Sequence, residues 1–480
     1  MKTDLPIATG FYEDASRPIA HQQCMGWIPQ VPQTNAVSRA QLIGTPGITE
    51  FADTSGDYTR GEHVMASIAY TVNGTTLYRI NSNGTTDSLG AITGSGRVSM
   101  ADNGTQLCIV VPGSGVGYIF TEPSTLTQIS DSDFTANGNS LQVKYKDGYF
   151  VHLSADKIFL SDLNDGLSYN ALAFGTAEVD PDENTAIHVN RNELFVAGNE
   201  TIELFQNIGT GTFPFQRING AVTQKGVKAK FSVVDFDNSF VFLGSGTNER
   251  VAIWRYTGPS AVKISTDAID HAIQDYTDAQ LKQVFATTYA QDGKYFVNFH
   301  FPDRTFSYDA TASALSGKSM WHERRSLNTS LLQTKWRVGG IIEAYGKILV
   351  TDNVDGRIGE LSEDVYTEYG VKVPRIVSTA PLQAQGEDIL INWIELSMES
   401  GVGNIVDPGS DPQISKAHSD DGFHFGNETS RSIGKQGEYN KRQVWHQEGQ
   451  APRWRVYRFT MIEDVKPVIL KLEADIELGV

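Results

Sequence analysis

Cysteine is nearly missing from this chain of 480 residues, with Cys24 and Cys108 the only two. A small secreted domain held by disulfides would carry more, so folding in a reducing compartment is expected. The two thiols form no C-x-x-C pair, and neither has a catalytic histidine nearby in sequence, which leaves no pattern for thiolate chemistry. Basic residues are also in deficit: 39 Lys and Arg stand against 57 Asp and Glu, for a formal net charge of −18. Proteins that grip duplex DNA neutralise its phosphates with a basic surplus. Tight holding of DNA or of an anionic membrane is therefore not expected, whereas a surface past which DNA slides suits this balance. No apolar run approaches the ~20 residues that span a bilayer. The opening Met1–Pro6 has no apolar core of a signal peptide, so a soluble chain without an export address is expected.

Glycine, by contrast, is plentiful. The 45 glycines exceed average usage by about a third and fall between short apolar runs, where turns need positive φ. Hydrophobic residues at 40% and charged residues at 20% are ordinary for a globular protein. Asn73-Gly74-Thr75, Asn83-Gly84-Thr85 and Asn103-Gly104-Thr105 repeat one turn signal. Asn-Gly favours the type I′ turn that matches the twist of paired strands. The same triplets fit a glycosylation sequon, a reading that lacks an export signal to support it. Asp147-Gly148, Asp292-Gly293 and Tyr345-Gly346 mark further hairpins, and Asn164-Asp165-Gly166, Asn192-Glu193 and Asp355-Gly356 further turns. Between them lie the strand-like runs 157–160, 193–197, 239–243, 295–299 and 347–351. At ~40–45 residues and four strands per blade, residues 41–378 would hold about seven blades of a β-propeller, with six or eight left open. Ile264, Ala268, Ile269, Ala272 and Ile273 interrupt this pattern at helical spacing. Thr277-Asp278-Ala279-Gln280 resembles a capping box, so two short helices are expected there.

The composition changes after the meanders. Residues 1–40 are expected as an N-terminal arm with a lead-in strand, and 379–480 as a C-terminal, sandwich-like β domain. Its strands would be 389–398, 443–446, 454–461 and 468–477, with 401–418 an exposed Gly/Pro/Asp/Ser-rich loop. In the 454–461 strand, Trp454 and Val456 share one face, while Arg453 and Arg455 take the other. Trp27, Trp254, Trp321 and Trp445 read as core residues rather than ligand platforms.

Few residue patterns carry chemistry. Ser419-Asp420-Asp421-Gly422-Phe423-His424-Phe425 resembles the Asp-box turn of sialidase-type propellers, where the carboxylate closes a hairpin; a turn is the reading preferred here. A glycosidase needs two carboxylates flanking one bond, and no Glu stands isolated in an apolar setting that would raise its pKa. His418, His424 and His446 lack metal-ligand spacing. The 162–166 and 352–356 segments resemble calcium loops without the alternation of oxygen ligands. Gly113-Ser114-Gly115-Val116-Gly117 has no Lys-Ser/Thr and no following helix, so it is not a phosphate loop. Lys225, Lys228 and Lys230 read as one solvated strand face. Arg431, Lys435, Lys441 and Arg442 read as a solvated basic loop, with a protein or phosphate contact as the alternative. No catalytic residue, cofactor or metal is expected.

Several phrases, in order along nearly the whole chain, resemble the packaged-DNA stabilisation (tail-hub or nozzle) proteins of short-tailed bacteriophages. They are Gly26-Trp27-Ile28-Pro29, Thr45-Pro46-Gly47-Ile48, and most specifically the 94–101 segment with Gly96, Arg97, Val98, Ser99 and Met100. The 158–165 segment with Asp162 and Asp165, the 202–209 segment and Phe213-Pro214-Phe215 follow. The series ends with Asp421 and Gly422, the 434–442 segment with Gly437, Tyr439 and Arg442, and Val444-Trp445. These residues are expected in packing or intersubunit roles. The resemblance implies an all-β fold, a propeller with additional β domains, and a homo-oligomeric ring, a hexamer, below the portal and its adaptor. It also implies closure of the DNA exit channel after packaging, support of a distal needle, plug, tailspike or fibre, and transient passage of double-stranded DNA. Assembly would take place in the bacterial host cytoplasm, with the virion tail as final location and no membrane insertion. A virion-associated propeller glycosidase and a glycan- or receptor-binding tail protein are the alternatives.

Overall fold

The computed structural model describes residues 2–478 apart from Arg17, 35–37, Arg39, 178–181, Pro259 and 385–386. Tight turns build most of it. At Asp147-Gly148, Asp292-Gly293 and Tyr345-Gly346 both turn residues take positive φ, and the flanking residues pair directly, as in Lys146 with Tyr149. That is the type I′ geometry. The Asn-Gly-Thr triplets behave differently. Asn73 pairs with Thr76, so the turn falls on Gly74-Thr75, and Asn73 is buried, donating to Thr54 Oγ1 and the Gly356 carbonyl at 3.0 and 3.2 Å. Asn103 accepts from the amides of Thr105 and Gln106 at 3.0 and 2.7 Å. These asparagines act through their side chains, which an Asn-Gly pair read for backbone torsion does not reveal.

Successive hairpins form seven blades around one axis. Blade one runs Thr59–Met65, Ile68–Asn73, Thr76–Ile80 and Thr86–Ala91; blade two runs Ser99–Asp102, Gln106–Val111, Val116–Thr121 and Thr125–Gln128. Blades three and four begin with Gln142–Lys146 and Asn184–Asn190. In blade five the inner strand is split into Gly226–Val227 and Val234–Phe236, both paired with Ser239–Ser245. Blade six starts with Phe285–Gln291 and blade seven with Val338–Ala344. Blade seven takes its fourth strand from the other end of the chain: Gly47–Asp53 pairs antiparallel with Arg357–Ser362. This non-local pairing closes the ring.

Side-chain alternation packs each blade against two neighbours. Leu107, Ile109 and Val111 face Tyr70, Val72 and Leu77 of blade one. Cys108 and Val110 turn the other way, onto Val143 and Phe150 of blade three. Both cysteines are free and buried, and burial pushes their thiols far above the ordinary range.

The C-terminal β-sandwich is built from both ends of the chain. One sheet has the order Gln443–Ala451, Ile389–Met398, Val468–Leu478, Gln41–Gly44, Trp27–Gln30, with Lys2–Leu5 also on Val468–Leu478. The other contains Arg375–Ser378, Trp454–Met461, Gln413–Ser419 and Thr429–Ser432, and is joined to blade six through Cys24–Met25. The first 40 residues, expected as an arm, thus supply strands to the sandwich. At the junction Glu323 is 4% exposed and accepts from Arg304 and Arg325, both at 3.3 Å. Arg375 is fully buried, donating to the carbonyls of Glu463 and Tyr366 at 3.2 and 3.0 Å.

Two local expectations are corrected, and the 454–461 strand gains a defined core face. Residues 413–419, within and beside the expected loop, form a strand whose Ile414 and Ala417 are buried. In the 454–461 strand it is the Arg455 face that enters the main core, through Tyr457, Phe459 and Met461. Arg455 lies there because Asp420 takes it bidentately at 2.6 and 2.9 Å, which neutralises the buried charge. Lys225, Lys228 and Lys230 do not share a solvated face: Lys225 pairs with Glu249, Lys228 pairs with Asp278, and burial lowers the pKa of Lys230. The expected helices form at Asp267–Gln274 and Asp278–Leu281, the second with the Thr277/Gln280 capping box. Two more, Asp133–Ala136 and Ala310–Ser316, carry no apolar period that sequence reading could detect.

Candidate functional site

Each blade begins at its inner strand and meanders outward, so all inner strands run the same way and their N-terminal ends share one mouth of the axial channel. The segment Gly96–Met100 lies at that mouth. Its position is fixed by Arg60, 1% exposed, which donates to the carbonyls of Gly96, Gly74, Ile92 and Thr93 at 2.7–3.2 Å. Val98 returns a bond from its amide to the Arg60 carbonyl at 2.8 Å. Ser99 Oγ links blade two to blade three, accepting from the Val143 amide at 3.0 Å. Met100 packs against the blade one–two core.

Arg97 crosses the axis. It donates to the Gly339 carbonyl of blade seven at 2.8 Å. Its guanidinium carbon lies 4.0 Å from the Phe285 ring centroid and 5.7 Å from that of Phe231, and Glu62 stands 3.7 Å away. One side chain from blade two therefore touches blades one, five, six and seven. The interruption in blade five helps to fill the same space: Gln142 donates to the Lys230 carbonyl at 2.7 Å, and the Phe231 carbonyl accepts from Ala286. Behind Arg97 a stack continues. Phe285 stacks on His300 at 4.3 Å, His300 on Trp336 at 5.9 Å, and Arg324 sits 3.6 Å from the Trp336 centroid. His300 is flanked by Thr287 and Thr305 hydroxyls at 3.0 and 3.2 Å. Burial, with Lys335, Arg97 and Arg324 nearby, drives its pKa well below the ordinary value, so the middle of the stack is neutral.

The other family-motif residues are dispersed. Asp162 accepts from Ser168 Oγ at 2.6 Å and Asp165 from the Leu167 amide at 3.0 Å. Phe215 is buried between blades three and four, with Pro214 accepting from the Ile208 amide. Asp421 accepts from the amides of Phe423 and His424 at 2.8 and 2.7 Å, and Gly422 donates to Ser419 Oγ at 2.9 Å. These bonds, led by those from His424, hold the Asp421 carboxyl well below its usual range. Gly437 takes positive φ, Tyr439 is 73% exposed, and Arg442 grips Glu395 bidentately at 2.7 and 2.6 Å. Trp445 is buried and donates to the Thr429 carbonyl at 3.1 Å. Sequence reasoning missed Arg60, Arg324 and Arg375 because nothing local distinguishes an arginine that serves buried carbonyls from a solvated one.

A surface cleft of about 1100 Å³ lies beside blades five and six and is lined by Asp235, Asp237, Arg255, Tyr295 and Tyr308 among others. Burial pushes the Asp235 pKa up, but His188 at 3.1 Å, together with Asn190 and Lys144, holds the carboxyl below the usual range. Asp237 is paired with Arg255 at 2.5 Å. Both carboxylates of the cleft are thus engaged by basic side chains, Asp235 by His188 and Asp237 by Arg255. Among the described residues, no three His, Cys, Asp or Glu side chains are grouped to hold a metal ion.

A closed propeller bonded through one sheet to a β-sandwich, with its axis plugged by its own side chains, defines a rigid scaffold class. The chain belongs to the bacteriophage P22 Gp10 family, matching its β-propeller over residues 3–366 and its β-sandwich over residues 374–477. It is similar to the tail hub protein gp10 of Salmonella phage P22, with 25% identity over 442 residues, 88% of this chain and 89% of that one. Among solved structures it resembles the WD40 propeller domain of Doa1, at 12% identity and a TM-score of 0.40 over 66% of this chain and 98% of that one. A catalytically inactive virginiamycin B lyase of Staphylococcus aureus gives 12% and 0.41 over 65% and 98%. These two likenesses are too remote to bear on function.

Proposed function

We propose that this chain is a structural, non-enzymatic tail hub of a short-tailed bacteriophage. In this reading it assembles as a hexameric ring below the portal and adaptor, helps to retain packaged DNA, supports the distal tail, and forms part of the ejection conduit. Similarity along 88% of the chain to a tail hub protein carries the reading.

The structure adds a constraint on the DNA path. Arg97 bridges the propeller axis between Gly339, Phe285 and Phe231. A duplex whose major groove alone is about 12 Å wide has no route through it, which supports a reading in which the conduit lies between copies. A ring closes when two different patches on each subunit are complementary. The net charge of −18 would keep DNA from sticking to such a wall. Electron microscopy of the purified chain with its portal and adaptor tests this: the expected image is a closed ring under the portal with DNA on the ring axis. Lone monomers, or release of sugar when the chain is incubated with host envelope glycans, would overturn it.

A further inference from the structure

The axial plug carries an excess of positive charge in an acidic protein. Arg97 and Lys335 both precede the inner strands of their blades, which places them at the same mouth of the channel. They flank one ring: the Arg97 guanidinium carbon is 4.0 Å and Lys335 Nζ 5.7 Å from the Phe285 centroid. Those two distances put the cations within about 10 Å of each other, inside one Debye length at 0.1 M salt. Arg97 has one acidic neighbour, Glu62 at 3.7 Å, and its Nε has no hydrogen-bond partner. Among the described residues Lys335 has no ion-pair partner. The His300–Trp336 stack closes the far face of Phe285, so no side chain from that direction supplies the missing charge. Two like charges held together beside apolar rings cost free energy that an anion between them would recover.

We propose that this mouth of the propeller axis binds one phosphate-type oxyanion, held between Arg97 and Lys335. Arg97 offers its buried, unpartnered Nε–H, and Lys335 an ammonium on a flexible stem. Burial and the Arg97 charge already lower the Lys335 pKa, which agrees with a cation lacking its counter-ion. The site is independent of the tail-hub reading.

The test uses the full chain with inorganic phosphate as probe, at fixed ionic strength balanced with chloride. Thermal unfolding and titration calorimetry are the readouts. Phosphate should raise Tm in a saturable way and bind at one site per chain. Lys335→Gln should weaken binding at least tenfold, and Lys335→Arg should restore it. Calorimetry on Lys335→Gln at a temperature where its near-ultraviolet spectrum matches the wild type separates lost binding from lost fold. A short DNA duplex in place of free phosphate identifies the source: a Lys335-dependent response to it would assign the site to a backbone phosphate. Equal Tm in phosphate and chloride, or a Lys335→Gln chain that binds as the wild type does, would overturn the proposal.

Discussion

His322 offers a quantitative check on the packing between blade six and the strands joined to it. Its side chain is fully buried, neither ring nitrogen has a partner, and Phe296 meets it edge-on at 5.9 Å. Burial, with Arg324 and Lys294 nearby, lowers its pKa to about 3. An unfolded histidine titrates near 6.5, so the unfolded chain takes up the proton first. The stability attached to neutral His322 is complete above pH 6.5 and is lost progressively as pH falls below it. Between pH 7.5 and pH 5 the loss is about 2 kcal/mol, the 1.5 pH units below 6.5 at ~1.4 kcal/mol each. Buried carboxyls with raised pKa, such as Glu323 and Glu368, oppose this trend, but they are shared by wild type and variant. Urea unfolding of wild type and His322→Phe at the two pH values isolates the histidine. Whatever the substitution costs at pH 7.5, the gap should move by about 2 kcal/mol in the variant's favour at pH 5. A gap that stays constant would refute the burial of a neutral imidazole here.

The remaining predictions concern arginines and the shared sandwich. Arg60→Met removes the donor for the Gly96, Gly74, Ile92 and Thr93 carbonyls; at ~1–3 kcal/mol per orphaned group, a loss of at least about 4 kcal/mol should appear in urea unfolding. Arg442→Ala should leave the urea unfolding midpoint nearly unchanged, because the arginine is 69% exposed although it grips Glu395, and solvent screens such pairs. Residues 374–480 expressed alone should give a poorly dispersed NMR spectrum, since Trp27–Gln30 and Gln41–Gly44 complete one sheet; co-expression with residues 2–46 should restore dispersion.

Much of the fold was legible in the sequence. Gly turns at 148, 293 and 346 mark hairpins because no other residue takes that torsion so cheaply. The Ile389–Met398 and Trp454–Met461 strands stand out by length and apolar content. Long-range pairing was not legible: nothing in Gly47–Asp53 says that it closes blade seven, or in Cys24–Met25 that it joins blade six to the sandwich. In the 454–461 strand the alternation of faces was legible, but not that the Arg455 face enters the core, because Asp420, distant in sequence, is what neutralises it there. Arg97 was visible as part of a family phrase, but its crossing of the axis depends on Gly339, Phe285 and Phe231, which only the closed ring brings together.

The central claim concerns a particle as well as a polypeptide. Phage particles assembled without this chain, purified and counted by electron microscopy for filled and empty heads, test it most directly. The account predicts heads that package DNA and then lose it, with filled heads regained when the purified protein is added before the genome escapes. Particles that lack the chain and still keep their DNA would contradict it.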